Sequence, residues 1–356
     1  MPQSGKAYLY MDKKNQISNR KNDHIDITGT RNVSFRQKRT GFEQYDFLHC
    51  AVPELNFDTI DCSADFLGYR LSAPLMVTGI TGGCEKALDI NRALAEACSQ
   101  EAVAIGVGSQ RQLLENSKFI KGYTVVREAA GNVPVIGNIG AAQLRNKNRF
   151  DAIMELVDVL QADAIAVHLN PLQEILQPEG DKDFSGILAA LEQFVRFMNV
   201  PVMVKETGCG ISYEAARKIH ETGVEYIDIA GAGGTSWSAI ESFRAGDARL
   251  AESFWDWGIP TAESLNAVRP VEHIRIVASG GVRNGIDMAK ALALGADLCG
   301  AAMPFLHAFQ TEGKEGLTET MALWRRQLKT VLFLTGSERI EQLRRPGICF
   351  RVNRYV

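Results

Sequence analysis

The sequence predicts a single (β/α)8 barrel with an N-terminal arm and a C-terminal tail. Three observations carry this. From Ala73 onward eight short β-rich runs alternate with helical patterns, which implies parallel β-α units. Eight such units close a barrel, and polar residues collect at the C-terminal ends of the runs, where barrels keep their active sites. The 356 residues exceed the roughly 250 such a barrel takes, leaving an arm at 1–70, the barrel at 71–335 and a tail at 336–356. An open doubly wound sheet usually has fewer strands and is the weaker alternative.

The strands are expected at 73–79, 103–108, 134–140, 164–170, 200–206, 225–231, 274–280 and 296–302. Helices fit 86–100, 149–161, 183–198, 212–222, 284–294 and 317–334. The clearest is 183–198, where Phe184, Ile187, Leu188, Leu191, Phe194, Val195 and Met198 form one stripe at helical spacing. Residues 1–70 read as an irregular arm with a short hairpin. The stretch 231–260 is a long Gly- and Trp-containing excursion, and such loops in compact domains are usually functional or disordered.

Composition narrows the function. The net charge is −3 with no long run of one sign, which argues against nucleic acid or anionic membrane as a partner while leaving room for a small anion held by local cations. Seven cysteines without a C-x-x-C pair suit reduced thiols in the cytosol. Residues 1–40 hold no signal-like apolar core, and no uncharged run approaches the ~20 apolar residues of a membrane span. The expectation is a soluble cytoplasmic protein.

The strand ends carry Thr78 and Thr81, Ser109 with Gln110 and Arg111, Asn138, His168 with Asn170, Lys205 with Glu206, and Ser279. Alternation in strand four turns Ile165, Val167 and Leu169 toward the helices and Ala164, Ala166, His168 and Asn170 inward. Lys205 shares a side with Met203, opposite Val202 and Val204. A lysine there needs a partner, either a neighbouring strand's carboxylate or a ligand. His168 by itself would be read first as a satisfied core histidine. Ser279-Gly280-Gly281 and Gly300-Ala301-Ala302-Met303 close strands seven and eight, where backbone N–H groups and a helix N-terminus commonly hold phosphate. Tight turns without a ligand are the alternative. Gly231-Ala232-Gly233-Gly234-Thr235-Ser236 would extend the same cradle.

Several ordered motifs then give a resemblance. They are Arg20-Lys21-Asn22-Asp23-His24, Ile80-Thr81-Gly82-Gly83, Gly108-Ser109-Gln110-Arg111 and Gly137-Asn138-Ile139-Gly140-Ala141. His168-Leu169-Asn170-Pro171-Leu172-Gln173-Glu174, Val204-Lys205-Glu206, Gly233-Gly234-Thr235, Trp257-Gly258-Ile259-Pro260-Thr261 and Ser279-Gly280-Gly281-Val282-Arg283 follow. From Asn19 to about Leu306 the chain resembles the type 2 isopentenyl diphosphate isomerases, FMN-dependent barrel enzymes of isoprenoid biosynthesis.

The resemblance implies FMN against Gly79, Ile80, Thr81, Ser109, Asn138, Lys205 and Thr235, with its phosphate on Gly280, Gly281, Val282, Ala302 and Met303. Lys205 would meet the electron-rich flavin edge. Arg20 and Lys21 resemble the family's diphosphate ligands, with Arg111, His168 and Asn170 as further substrate contacts and Glu174 as the Mg2+ ligand. Gln173 would face the isoprenoid carbons, and as an amide it positions rather than titrates. The catalytic set implied is Gln173, Lys205 and His168. The implied reaction converts isopentenyl to dimethylallyl diphosphate by a 1,3-allylic proton shift, with reduced FMN moving protons through its N5 region. NAD(P)H as reductant and a homotetramer or homo-octamer are also implied.

Two rivals share parts of this pattern. An FMN oxidoreductase of the 2-hydroxy-acid oxidase type would have a similar cradle, but oxidation of a small acid has no use for Arg20-Lys21 and the 168–174 segment. A non-catalytic flavin binder would not need the polar set at the strand ends.

Overall fold

The structure, a computed structural model, describes residues 21, 23–244 and 247–352. Eight parallel strands close a barrel: β1 Leu75–Val77, β2 Ala104–Gly106, β3 Val135–Gly140, β4 Ala164–Leu169, β5 Val202–Glu206, β6 Tyr226–Asp228, β7 Arg275–Ala278 and β8 Leu298–Ala301. Each pairs with its neighbours in sequence, and β8 closes on β1 through Cys299↔Leu75, Gly300↔Met76 and Ala301↔Val77. All eight expected strands form, shorter than their apolar runs because the run ends curve into loops.

The period-two reading of β4 and β5 holds. Ile165, Val167, Val202 and Val204 pack in the cluster under the helices. Ala164, Ala166 and Met203 lie in a separate cluster inside the barrel with Met76, Ala104, Ile136, Val277 and Leu298. Small residues at Ala104, Ala164 and Ala166 leave the axis room for Met203 and Met76 to cross it. The N-terminal end of the barrel is plugged by the hairpin Ala64–Phe66 and Tyr69–Leu71. Leu67 and Gly68 both take positive φ at its turn, 50° and 82°, the conformation a two-residue hairpin needs. Phe66 and Leu71 join the interior cluster, and such side chains contribute about 1.5–3 kcal/mol each when fully buried.

The helices differ more from expectation. Ile187–Phe197, Ala87–Glu101, Phe150–Leu160, Tyr213–His220 and Gly285–Ala293 fall where predicted. The last helix is longer, Met303–Leu334, and is interrupted at Gly313 (φ 69°, ψ −151°). The excursion at 231–260 carries two short helices, Trp237–Phe243 and Ala248–Ser253. Its apolar residues close a small cluster of their own, in which Ala239, Ile240 and Trp255 pack with Val33 of the arm.

The arm is built across the barrel's C-terminal face. Residues 23–30 are helical, and an antiparallel bridge joins Ser34 to Thr235. Asp256 Oδ1 then accepts from the backbone N–H groups of Arg36 (2.9 Å), Gln37 (3.1 Å) and Lys38 (3.4 Å). Further on, Tyr45–Phe47 pairs antiparallel with Cys349–Arg351, so arm and tail meet. Among the described residues no helix is long and apolar enough to cross a membrane.

Candidate active site

At the C-terminal ends of the strands lies a cavity of about 620 Å3. Every described residue that the sequence reading placed in the site lines it: Gly79, Ile80, Thr81, Ser109, Arg111, Asn138, His168, Asn170, Gln173, Glu174, Lys205, Thr235, Gly280, Gly281, Val282, Ala302 and Met303, with Lys21 of the arm. Arg20 lies outside the described residues.

Asn138 is fixed on three sides. Its N–H donates to Gln110 Oε1 (2.9 Å), its Nδ2 donates to Val107 O (3.0 Å), and its Oδ1 meets His168 Nδ1 at 2.9 Å. Because Nδ2 is spent on a carbonyl, Oδ1 is the acceptor, and His168 therefore carries its proton on Nδ1. That leaves Nε2 on the side of Gly140, where an added Cβ would stand 3.0 Å away. His168 is thus an oriented imidazole at the cavity wall.

After β4 the chain enters the helix Pro171–Leu176, with Asn170 as N-cap residue and Pro171 in its first turn, where proline's fixed φ and missing N–H do no harm. This turn aims Gln173 and Glu174 at the cavity, both largely buried. Asn170 Nδ2 donates to Gln173 Oε1 (2.9 Å) and Glu174 Oε1 (3.0 Å), and Asp181 N donates to Glu174 Oε2 at 2.6 Å.

Lys205 Nζ donates to Glu206 O at 2.7 Å. Glu206 turns away from the cavity, where its Oε2 accepts from Thr207 N and Gly208 N, both at 2.6 Å, and from Cys209 N. Burial pushes its carboxyl up to about 7, against those three N–H groups and Lys205, which pull it down.

Across the cavity, Gly280 and Gly281 adopt φ of 97° and 76°. A Cβ on Gly280 would stand 2.1 Å from Gly231 O, so only glycine lets these two loops touch. Arg283 Nη2 ties the same turn to Gly233 O at 3.0 Å. The N-terminus of Met303–Leu334 opens on the cavity beside them, which gives an anion backbone donors and a favourable dipole end.

Sequence reasoning missed a second set. His24, Gln177 and Trp237 line the cavity; His24 and Gln177 belong to one network centred on Glu241, and Trp237 meets the His24 ring edge-on. Glu241 Oε1 meets His24 Nε2 at 3.1 Å and accepts from Gln177 Nε2 at 2.6 Å, while Oε2 accepts from Arg244 Nη1 at 2.7 Å. Arg244 continues to Glu179 at 3.0 Å. The signal was present in Asp23-His24, read only as part of a motif, and in a glutamate among the apolar residues of the 231–260 excursion.

Comparison with known proteins gives the class first. Residues 142–349 match the family described as FMN-dependent dehydrogenase. Solved structures share the fold: a flavocytochrome b2 variant has a TM-score of 0.69 at 19% identity, covering 92% of this chain and 82% of its own. A mandelate oxidase variant has a TM-score of 0.64 at 16% identity over 97% and 98%. The FMN-type barrel class is thereby fixed, and closer relatives name the branch. An isopentenyl-diphosphate delta-isomerase of Methanothermobacter thermautotrophicus is 45% identical over 93% of both chains. Those of Nostoc sp. (44%, over 93% of this chain and 95% of its own) and Pyrococcus furiosus (45%, over 96% and 88%) match as well. The chain belongs to the isopentenyl-diphosphate delta-isomerase family.

Proposed function

We propose that the chain interconverts isopentenyl and dimethylallyl diphosphate by a 1,3-allylic proton shift that uses reduced FMN and Mg2+, as a step of isoprenoid biosynthesis. The observation that carries this reading is the pairing of two cations with a carboxylate around one cavity. Lys21 Nζ donates to Ser109 O at 2.8 Å and Tyr123 OH at 3.3 Å, which sets it on the loop that carries Arg111. Arg111 Nε is buried with no hydrogen-bond partner among the described residues, the state of a donor awaiting an anion. Glu174, with Asn170 and Gln173, faces the same space. A plain flavin oxidase has no use for that combination.

FMN fits the residues present. The glycine turn at 280–282 and the helix start at 302–303 suit its phosphate, and Lys205 suits the flavin edge that becomes anionic on reduction. Reduced FMN would supply an electron-rich face and exchangeable protons beside the prenyl group.

The chain's own residues do the rest. Arg20, Lys21, Arg111 and His168 bind the diphosphate, with Nε2 as the histidine's contact atom. Glu174 would supply one carboxylate to a Mg2+ that the substrate diphosphate and water would otherwise hold, the usual manner for this ion. Among the described residues no cluster of three or more His, Cys, Asp or Glu could enclose a metal, so this shared coordination is the one the donor set supports. Asn170 holds Gln173, which orients the prenyl carbons. The arm helix excludes water from above. NAD(P)H as reductant, a homo-oligomeric state and a cytoplasmic location complete the reading.

The test is an anaerobic assay with FMN, Mg2+, a reductant and isopentenyl diphosphate. Dimethylallyl diphosphate should form only with all four, and not in Glu174→Ala. Yellow, folded protein that gives no product but is reduced by 2-hydroxy acids would overturn the reading in favour of an oxidase.

A further inference from the structure

Asp228 ends β6 inside the barrel, wholly buried. Its Oδ1 accepts from Ser279 Oγ at 2.6 Å and Ala230 N at 3.2 Å. Its Oδ2 is buried with no hydrogen-bond partner among the described residues. A carboxylate half satisfied in a barrel interior is costly and asks for a nearby cation.

The cation is on the next strand. Lys205 and Asp228 stand in register on β5 and β6. Both line a small cavity of about 10 Å3, shared with Met76, Ile136 and Met203 below and with Gly79 and Asn138 of the main cavity above. That is roughly the space of one water molecule, and a water there could accept from Lys205 and donate to Oδ2. Glu206, the other carboxylate beside Lys205, is committed to the backbone of 207–209.

We propose that Asp228 is the counter-ion of Lys205, a positioning residue that sets the charge the lysine presents to the flavin. The proposal rests on the reading that Lys205 meets the flavin edge. Burial pushes the Asp228 carboxyl up, and the charge of Lys205 is the largest influence pulling it back down. The competing role is purely mechanical, a clamp from β6 to Ser279 at the end of β7.

Asp228→Asn separates the two, because an amide oxygen still accepts from Ser279 and Ala230 while the charge is gone. With its anion removed, Lys205 should favour the anionic reduced flavin more strongly. The affinity ratio of reduced to oxidised FMN should rise about tenfold, a shift of about +30 mV in the midpoint potential of bound FMN. Ser279→Ala keeps the carboxylate and should move the potential far less. Lys205→Met is the control and should lower it. If Lys205→Met lowers the potential and Asp228→Asn leaves it unchanged or lowers it, Asp228 is a clamp. If Lys205→Met leaves it unchanged, the placement of Lys205 at the flavin has failed instead, and the counter-ion role with it. Should Asp228→Asn not fold, the wild-type protein decides through its infrared difference spectrum on flavin reduction with isotope-labelled aspartate. A shifted band of a buried ionised aspartate supports the proposal; a protonated carboxyl band or no aspartate band overturns it.

Discussion

His24 Nε2 and Glu241 Oε1 lie 3.1 Å apart, and this contact fastens the N-terminal arm to the helix that follows β6. Burial by itself would raise the Glu241 carboxyl, but His24, Arg244 and Gln177 outweigh it and hold it below the usual range. Its stabilising share is therefore present at neutral pH and is lost as pH falls through the lowered value. Glu241→Ala removes the acceptor shared by His24, Gln177 and Arg244, leaving Arg244 on Glu179, a loss of about 1–3 kcal/mol. Urea unfolding should show that loss, and trypsin should cut faster at Arg31 and Arg36 as the arm loosens. An unchanged midpoint and digestion pattern would remove Glu241 from the docking of the arm.

Glu206 titrates with the opposite sign. Its carboxyl is raised from 4.5 to about 7 in the folded protein, so the folded state holds the proton more tightly than the unfolded chain. Its contribution to stability therefore falls as pH rises across that interval and is level above it. The size is on the order of 3 kcal/mol. Glu206→Gln lacks this titration. Denaturation of both proteins at about pH 4.5 and about pH 8 should show the wild type losing ground to the variant at the higher pH. A constant gap would mean that the three N–H donors fully offset the burial.

The glycine turn offers a test of the cradle. Ala at position 280 would put Cβ within 2.4 Å of Gly231 N and closer still to Gly231 O, both backbone atoms that cannot rotate away. Gly280→Ala should lower stability by about 1–3 kcal/mol and weaken FMN binding by about tenfold or more. Gly68→Ala is the control: φ is 82° there too, yet nothing lies within 4 Å of the added Cβ. It should cost about 1–2 kcal/mol and leave FMN titration by fluorescence unchanged. Equal effects on FMN from both variants would show that backbone strain, not the cradle, is being read.

The barrel was legible because its signals are local. Val202 and Val204 alternate with Met203 and Lys205, and that alternation alone places the lysine inside. Strand ends then predict the site, and His168, Asn170 and Lys205 could be found without any tertiary knowledge. What escaped depends on contacts distant in sequence. The helices at Trp237–Phe243 and Ala248–Ser253 are too short for a periodic signature, and the first is stabilised by packing of Ala239 and Ile240 with Val33 of the arm. Glu241 and His24 are 217 residues apart, so no window contains both. Asp228 reads as a polar interruption of β6, and only the barrel's register turns it toward Lys205.

Glu174 accepts from Asn170 and Asp181 N, so one oxygen on each side of its carboxylate is already oriented before any metal arrives. Glu174→Gln removes the charge while the amide oxygen can keep one of those bonds. Turnover should fall at least about a hundredfold, and the Mg2+ dependence of the remainder should move to higher concentration. FMN binding should stay as in the wild type, because the flavin cradle is formed by other strand ends. Assays across a Mg2+ series, together with flavin titration of the same preparation, separate the possibilities. Turnover with an unshifted Mg2+ dependence would take the metal away from Glu174. Loss of flavin binding alongside turnover would make Glu174 a support of the 168–174 turn instead.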